Sequence, residues 1–348
     1  MKTYLAVLLR RIAPMLRTFL VFGLLVSVIL LAWFLVQFLV NREPTGSEEF
    51  LFAIIATMSG VITVSLFFLL FRQSRRQLPI ARNIAIVGFP QSGKTTLIIS
   101  LFGEMFARRV NLPIAPKGSS TIKRVNEGLA ALSTGRPIGP TTSQDRFSFR
   151  ADVTVNAFPF RRIYKVEFGD FPGDESEDIL KEDVEWLHDS EFFGWVLESD
   201  AIVFVVDVGR YILDRNAYSA FMSRAIRAAW QEFCQVNIDK RARLAGFPVV
   251  LAFTKADLLV RTALLDEGVD RQSRVADAAF GECLPAEIRI DQKDLAESMS
   301  GVTRDFADLM KYLTGQTEKF RAIPLSAFGR DQTGILLGFD KFVKSLLP

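Results

Sequence analysis

The chain has one histidine, His188, and two cysteines, Cys234 and Cys283, in 348 residues. A single histidine rules out a multi-histidine metal site and argues against a serine–histidine–aspartate triad. The two cysteines are far apart and lack metal-type spacing, so they read as reduced thiols in a reducing compartment. Excess charge is scarce too, at +3 overall. Residues 1–82 hold nine Lys/Arg and three Glu, a net of +6, which leaves −3 for residues 83–348. That slightly acidic remainder lacks the basic face that phosphate-backbone binding needs, so no nucleic-acid partner is expected.

Charge is missing altogether from two long stretches, Thr18–Val40 (23 residues) and Phe50–Phe71 (22 residues). As helices each would be about 33–35 Å long, enough to cross a hydrocarbon core of about 30 Å. The first run is too long for a signal-peptide core, and a second span follows at once. Lys2, Arg10, Arg11 and Arg17 precede the first run, and Arg72, Arg75, Arg76 and Arg82 follow the second. The short loop between them carries Arg42 against Glu43, Glu48 and Glu49. Basic flanks stay on the cytoplasmic side, so both termini are expected inside and the loop outside. No ionisable residue lies at membrane depth, so the hairpin reads as an anchor in a lipid bilayer rather than a transport path. The expected organisation is a transmembrane hairpin over 1–82, with spans at about 18–40 and 50–71, followed by a cytoplasmic domain over 83–348.

The cytoplasmic part opens with a short apolar strand, Asn83–Val87, and then Gly88-Phe89-Pro90-Gln91-Ser92-Gly93-Lys94-Thr95-Thr96 before an apolar helix, Leu97–Phe106. Strand, G-x-x-x-x-G-K-T and helix in that order form a phosphate-binding loop. The glycines let backbone N–H groups and a helix N-terminus point at phosphate. Lys94 is placed to neutralise phosphate charge and the Thr95 hydroxyl to ligate Mg²⁺. Downstream, the strand Arg162–Phe168 runs into Gly169-Asp170-Phe171-Pro172-Gly173. There Asp170 can hold the metal's water shell, and the Gly173 N–H can meet a terminal phosphate.

Ser199–Asp207 and Phe247–Phe253 read as buried parallel strands. The second ends in Thr254-Lys255-Ala256-Asp257, where a carboxylate can accept two hydrogen bonds from guanine N1 and N2 and the Lys255 stem can cover the purine. Ala322–Leu325 leads to Ser326-Ala327-Phe328-Gly329, with backbone N–H groups for guanine O6.

The ordered set GFPQSGKT, DFPG, TKAD and SA resembles the translation-factor-related class of P-loop GTPases over residues 83–348. The resemblance implies an α/β fold, a mainly parallel sheet with helices on both faces and nucleotide at the C-terminal strand edge. It implies GTP and GDP as ligands, Mg²⁺ as cofactor, and a switch face that a protein partner reads. DFPG followed by acids, then SDAIVFVVD, is similar to bacterial conflict- and stress-associated GTPases of the double-GTPase type, as is Leu129–Gly135 before Pro140-Thr141-Thr142. That likeness implies a bacterial inner membrane. On the resemblance the catalytic set is Lys94, Thr141, Thr142, Asp170 and Gly173, and the metal set Thr95, Thr142 and Asp170. The nucleotide set is Gly88, Gln91, Ser92, Gly93, Lys94, Thr95, Thr96, Thr254, Lys255, Asp257, Ser326 and Ala327.

Departures from the pattern are informative. The switch threonine is Thr141 or Thr142, unless Pro140-Thr141-Thr142 is an ordinary turn. It lies far from Thr95, so Gly103–Gly139 is an insertion, with a helix over Ile122–Leu132. Leu258–Lys319 is a second insertion, with helical periodicity over Leu295–Leu313. Asp174 stands where small signalling GTPases place a water-orienting Gln, and Gln91 where some GTPases use an Asn to hold potassium. Arg136, Arg146 and Arg150 are either solvated charges or a cis arginine finger. Trp186, Phe192, Phe193 and Trp195 either pack inward or meet a partner. Large secretion machines also join a two-span hairpin to a P-loop domain, so a scaffold with nucleotide that is not turned over is the alternative reading.

Overall fold

The computed structural model describes residues 60, 62, 65, 80–89, 91–107, 109, 113–138, 147–157, 160–170, 196–237, 244–263 and 284–347. The expected spans at 18–40 and 50–71 lie outside the described residues, apart from Gly60, Ile62 and Ser65, which are helical. Among the described residues, no helix is long and apolar enough to cross a membrane. The chain divides into two units, residues 1–79 with 157–162 and residues 80–156 with 163–348. The second unit holds the elements named below, except Ala157 and Phe160–Arg162 at strand ends.

In chain order the elements are β1 (Ile80–Val87), α1 (Lys94–Phe106), β2 (Ile114–Lys117), α2 (Ser119–Ser133), β3 (Phe147–Ala157), β4 (Phe160–Asp170) and β5 (Ala201–Asp207). There follow α3 (Val208–Leu213), α4 (Arg215–Val236), β6 (Val249–Thr254), α5 (Asp257–Ala263), β7 (Ile288–Arg289), α6 (Gln292–Asp305), α7 (Ala307–Gln316), β8 (Phe320–Pro324), β9 (Gly329–Arg330) and α8 (Phe339–Leu346). Among the described residues, seven strands form one sheet in the order β2-β3-β4-β1-β5-β6-β8, and β7 pairs with β9 separately. β1 is parallel to β4 and β5, β6 is parallel to β5 and β8, and β2 is antiparallel to β3 at one edge.

Continuous apolar runs make β5 and β6 central: every residue of both is buried. Side-chain alternation splits them between two cores. Ile84, Ile86, Val203, Val205, Val250 and Ala252 face a core with α1, α2 and α8. Ala85, Ile202, Phe204, Val206, Leu251 and Phe253 face a core with α4, α6 and α7. Helices therefore cover both faces, as expected. Burying such a strand on both sides removes each large side chain from water, worth about 1.5–3 kcal/mol apiece.

Both segments expected to be insertions contain secondary structure. The helix expected over Ile122–Leu132 is α2, which packs against the α1 core through Val125 and Leu129. The Leu295–Leu313 periodicity resolves into the helix pair α6 and α7, which buries Leu295, Met299, Val302, Leu309 and Leu313. The chain leaves β1 toward β4 on one side and returns to β5 on the other. That reversal opens a crevice at the carboxyl end of β1, the usual ligand position in such sheets.

Candidate nucleotide site

The loop after β1 is built where the crevice opens. A Cβ on Gly88 would come within 2.8 Å of the Val205 side chain and 3.2 Å of its carbonyl, so only glycine lets the loop lie on β5. Gly93 has φ 85° and forms the N-cap of α1. That left-handed turn is open to glycine at no steric cost, and it starts a helix whose first N–H groups have no intrahelical partner. No side chain caps α1 and no acid occupies its first turn. Carboxylates normally stabilise that position, so its positive end is left for an anion from outside the helix.

Lys94 is 6 % exposed, and its Nζ donates to the carbonyls of Gly88 (2.6 Å) and Phe89 (2.7 Å). The ammonium is thereby folded back into the concavity of the loop. Thr95 and Thr96 follow in the first turn of α1, both half-buried. The Ser92 hydroxyl is buried beneath the loop without a hydrogen-bond partner, 3.1 Å from where a Gly88 Cβ would sit. Only the Ser92 backbone is used: the Thr254 hydroxyl donates to its carbonyl at 2.7 Å.

Thr254 ends β6 beside Asp207 at the end of β5. Lys255 follows with φ 56°, and its Nζ bridges the Gln91 carbonyl (2.9 Å) and Asp207 Oδ2 (2.8 Å). Asp207 is fully buried; its Oδ1 accepts from Gly209 N–H at 2.8 Å, and its own N–H donates to the Tyr218 hydroxyl at 2.9 Å. Burial together with the neighbouring Asp207 charge pushes the Tyr218 phenol well above its ordinary range. Tyr218 thus stays neutral and serves as a fixed acceptor.

Asp257, 2 % exposed, begins α5. Its Oδ1 accepts from the Ser326 hydroxyl at 2.6 Å and its Oδ2 from Arg261 Nε at 3.0 Å. Ser326 Oγ in turn accepts from the N–H groups of Phe328 (3.0 Å) and Gly329 (2.7 Å). The two loops also share backbone bonds, Ala256 N–H to Leu325 O at 3.0 Å and Leu325 N–H to Phe253 O at 2.8 Å. Ala327 is half-buried beside Ser326. The lysine links the phosphate-type loop to the end of β6, and Asp257 links that end to the Ser326 loop.

No protein-family model matches the sequence, and no curated protein matches it. Among solved structures, the chain is similar to Sup35 complexed with GDP, at 10% identity over 72% of this chain and 38% of that one, with a TM-score of 0.27. It is also similar to the GTPase-like domain of S. cerevisiae Ski7 bound to GDP and inorganic phosphate, at 13% identity over 74% of this chain and 45% of that one, with a TM-score of 0.32. The chain spans less than half the length of either.

Of the residues chosen from sequence, Gly88, Gln91, Ser92, Gly93, Lys94, Thr95, Thr96, Thr254, Lys255, Asp257, Ser326 and Ala327 fall in these three loops and their flanks. Strand register places Asp170 beside Ile86, two residues before Gly88, although its side chain is outside the described set. Thr141, Thr142, Gly173, Asp174 and Arg146 also lie outside the described residues. Of the other finger candidates, Arg136 is exposed, and Arg150 pairs with Glu167 of β4 at 3.2 Å. Sequence reasoning missed Asp207, Tyr218 and Arg261. Asp207 had a visible signal, an acid ending an otherwise apolar strand; Tyr218 and Arg261 had none.

Proposed function

We propose that the chain binds and hydrolyses GTP with Mg²⁺ and is tethered to a membrane by its N-terminal hairpin. The observation that carries the nucleotide reading is the Lys255 bridge. It joins the loop that would wrap phosphate to the loop bearing Asp257, and so sets phosphate and base subsites at one crevice. Asp257, oriented by Ser326, would accept from guanine N1 and N2, which adenine cannot supply in that arrangement. Mg²⁺ suits a Thr95 hydroxyl and an Asp170 carboxylate, since this ion takes few protein oxygens and fills its shell with phosphate and water. It would supply charge neutralisation at the terminal phosphates.

Thr141 or Thr142 and the Asp170–Gly173 segment would respond to the terminal phosphate, making the domain a switch for a protein partner at the cytoplasmic membrane face. Membership of the translation-factor-related class, and of its bacterial double-GTPase-type group at the inner membrane, is supported by the motif order and by SDAIVFVVD. The anchor is supported by the two uncharged runs and their basic flanks.

The test is nucleotide affinity of the full chain in detergent or nanodiscs. GTP is expected to outcompete ATP, and Asp257→Asn to shift preference toward xanthine nucleotides. Equal affinity for ATP and GTP would overturn the base assignment. Asp174, in place of a water-orienting Gln, favours a second reading in which the protein is a membrane scaffold and bound GTP is not turned over. Single-turnover hydrolysis with and without potassium separates the two.

A further inference from the structure

A charged chain outside the site described above runs from the far end of α1 to the loop that follows Ser326. Glu104, ten residues beyond Lys94, has a side chain only 3 % exposed. Its Oε1 accepts from Arg330 Nη1 at 2.9 Å and from Arg109 Nη1 at 3.0 Å, and its Oε2 accepts from Leu336 N–H at 3.3 Å. Arg330 also forks onto Glu287, with Nε to Oε2 and Nη2 to Oε1 both at 2.8 Å, and Nη1 reaches the Gly334 carbonyl at 2.9 Å. The Arg330 guanidinium thus spends its donors on three separate segments. The fork is a geometry that lysine cannot reproduce.

Arg330 immediately follows Gly329, whose N–H is held by Ser326 Oγ. On its other side, the segment carrying Glu287 is pinned twice more. Ile288 N–H donates to Phe328 O at 2.9 Å and Ile290 N–H to Arg330 O at 2.8 Å. Arg261, the partner of Asp257, donates to the Ala286 carbonyl. The segment 284–290 of the second insertion is therefore a strut, touching the carboxylate side of the base loop through Arg261 and the serine side through Arg330.

We propose that Arg330 is a positioning residue for base selection: its contacts with Glu104 and Glu287 fix the Ser326–Gly329 loop against Asp257, and so set the preference for guanine over other purines. This rests on the GTP reading above. Arg330 is not among the residues that would hold the base or the phosphates. It acts through the Phe328 and Gly329 N–H groups, through Ser326 Oγ, and so through the direction of the Asp257 carboxylate.

The test compares full-length protein in detergent with Arg330→Met, Arg330→Lys and Glu287→Gln, using GTP, ATP and base-free inorganic tripolyphosphate as probes. A site built to hydrogen-bond its ligand loses discrimination steeply when those groups are misaligned, so Arg330→Met should cut the GTP-over-ATP preference at least about tenfold. Tripolyphosphate affinity should stay within about twofold, because the partners of Arg330, namely Glu104, Glu287 and Gly334, lie outside Gly88–Thr96. Arg330→Lys and Glu287→Gln, each keeping part of the chain, should give intermediate losses. Glu287 has a half-exposed side chain, so its variant carries the test even if Arg330→Met does not fold. An unchanged GTP-over-ATP ratio in Glu287→Gln and in folded Arg330 variants overturns the proposal. So does a parallel fall in tripolyphosphate affinity, which marks a general structural role. Absence of guanine preference in the unaltered protein overturns the GTP reading itself, and this proposal with it.

Discussion

Lys255 Nζ donates to the Gln91 carbonyl at 2.9 Å, and these two are the non-glycine residues with left-handed φ among those described, at 56° and 59°. Such a conformation costs of order 1–3 kcal/mol per residue and persists only where the surroundings impose it. Here two strained loops lean on each other across the crevice, 164 residues apart in sequence. Replacing Lys255 with Ala removes the bridge and the stem that would cover a purine. The expected result is at least a tenfold loss of GTP affinity (about 1.4 kcal/mol or more), measured by titration of the full chain.

Asp207→Asn keeps an acceptor for Gly209 N–H but removes the charge facing Lys255. Breaking a fully buried pair costs about 3–5 kcal/mol, and Lys255 is partly solvated, so about 1–3 kcal/mol of lost stability is expected. Urea unfolding of the variant checks this. A cost below about 0.5 kcal/mol, typical of exposed surface pairs, would mean that Asp207 does not anchor the lysine.

Ser92→Ala should behave oppositely to most P-loop substitutions. The hydroxyl it removes is buried and unpaired, and Thr254 uses the backbone carbonyl, which alanine retains. A buried unsatisfied group costs about 1–3 kcal/mol, so the variant should be no less stable than the parent and should bind nucleotide equally well. A drop in melting temperature would show that the hydroxyl has a partner in solution.

Ser326→Ala should lower stability by about 1–3 kcal/mol, since it leaves Asp257 Oδ1 and the Phe328 and Gly329 N–H groups without their shared partner. Preference for GTP over ATP should fall with it, as read by competition binding.

The pH dependence of stability has a separate source on the α4–α6 side. Arg215 hydrogen-bonds Asp305 and holds its carboxyl below the usual range, while burial and the Asp305 hydrogen bond raise the Tyr211 phenol above its own. A depressed carboxyl stabilises the fold above its unfolded value, about 3.9, and that contribution is lost as pH falls through the folded value. A raised phenol stabilises below its unfolded value, about 10, and that contribution is lost as pH climbs toward the folded one. Asp305→Asn should therefore be destabilised relative to the parent at pH 7, with the gap narrowing as pH falls below about 3.9. Denaturant unfolding at pH 7 and at a series of lower pH values measures it; a gap that does not narrow with acid would assign the effect to packing rather than charge.

Several elements were legible because their signals are local. Ile84–Val87, Ala201–Val206 and Val249–Phe253 are apolar runs of strand length, and strands buried on both faces require such runs. The helices α2 and α6–α7 followed from apolar spacing at 3.6 residues per turn. Strand β2 was not expected, because Ile114–Lys117 alternates only over four residues and includes Pro116, which suits an edge position. The motif loops were legible for a different reason: Gly88, Gly93 and Lys94 fall within one short segment, in the pattern that a phosphate-wrapping loop would need.

By itself, the sequence determined the strand–loop–helix that could wrap a phosphate, the apolar strands that carry the motif loops to one edge, and the split of charge between the two ends of the chain. Each of these depends on residues close together in the chain. Only the tertiary structure decided who holds whom. Lys255 meets Asp207 across 48 residues, Ser326 meets Asp257 across 69, and Arg330 meets Glu104 across 226. Polar and charged residues at such separations carry no local pattern. Their pairing is set by strand order and helix packing, because a buried charge is tolerated only where the fold brings its partner.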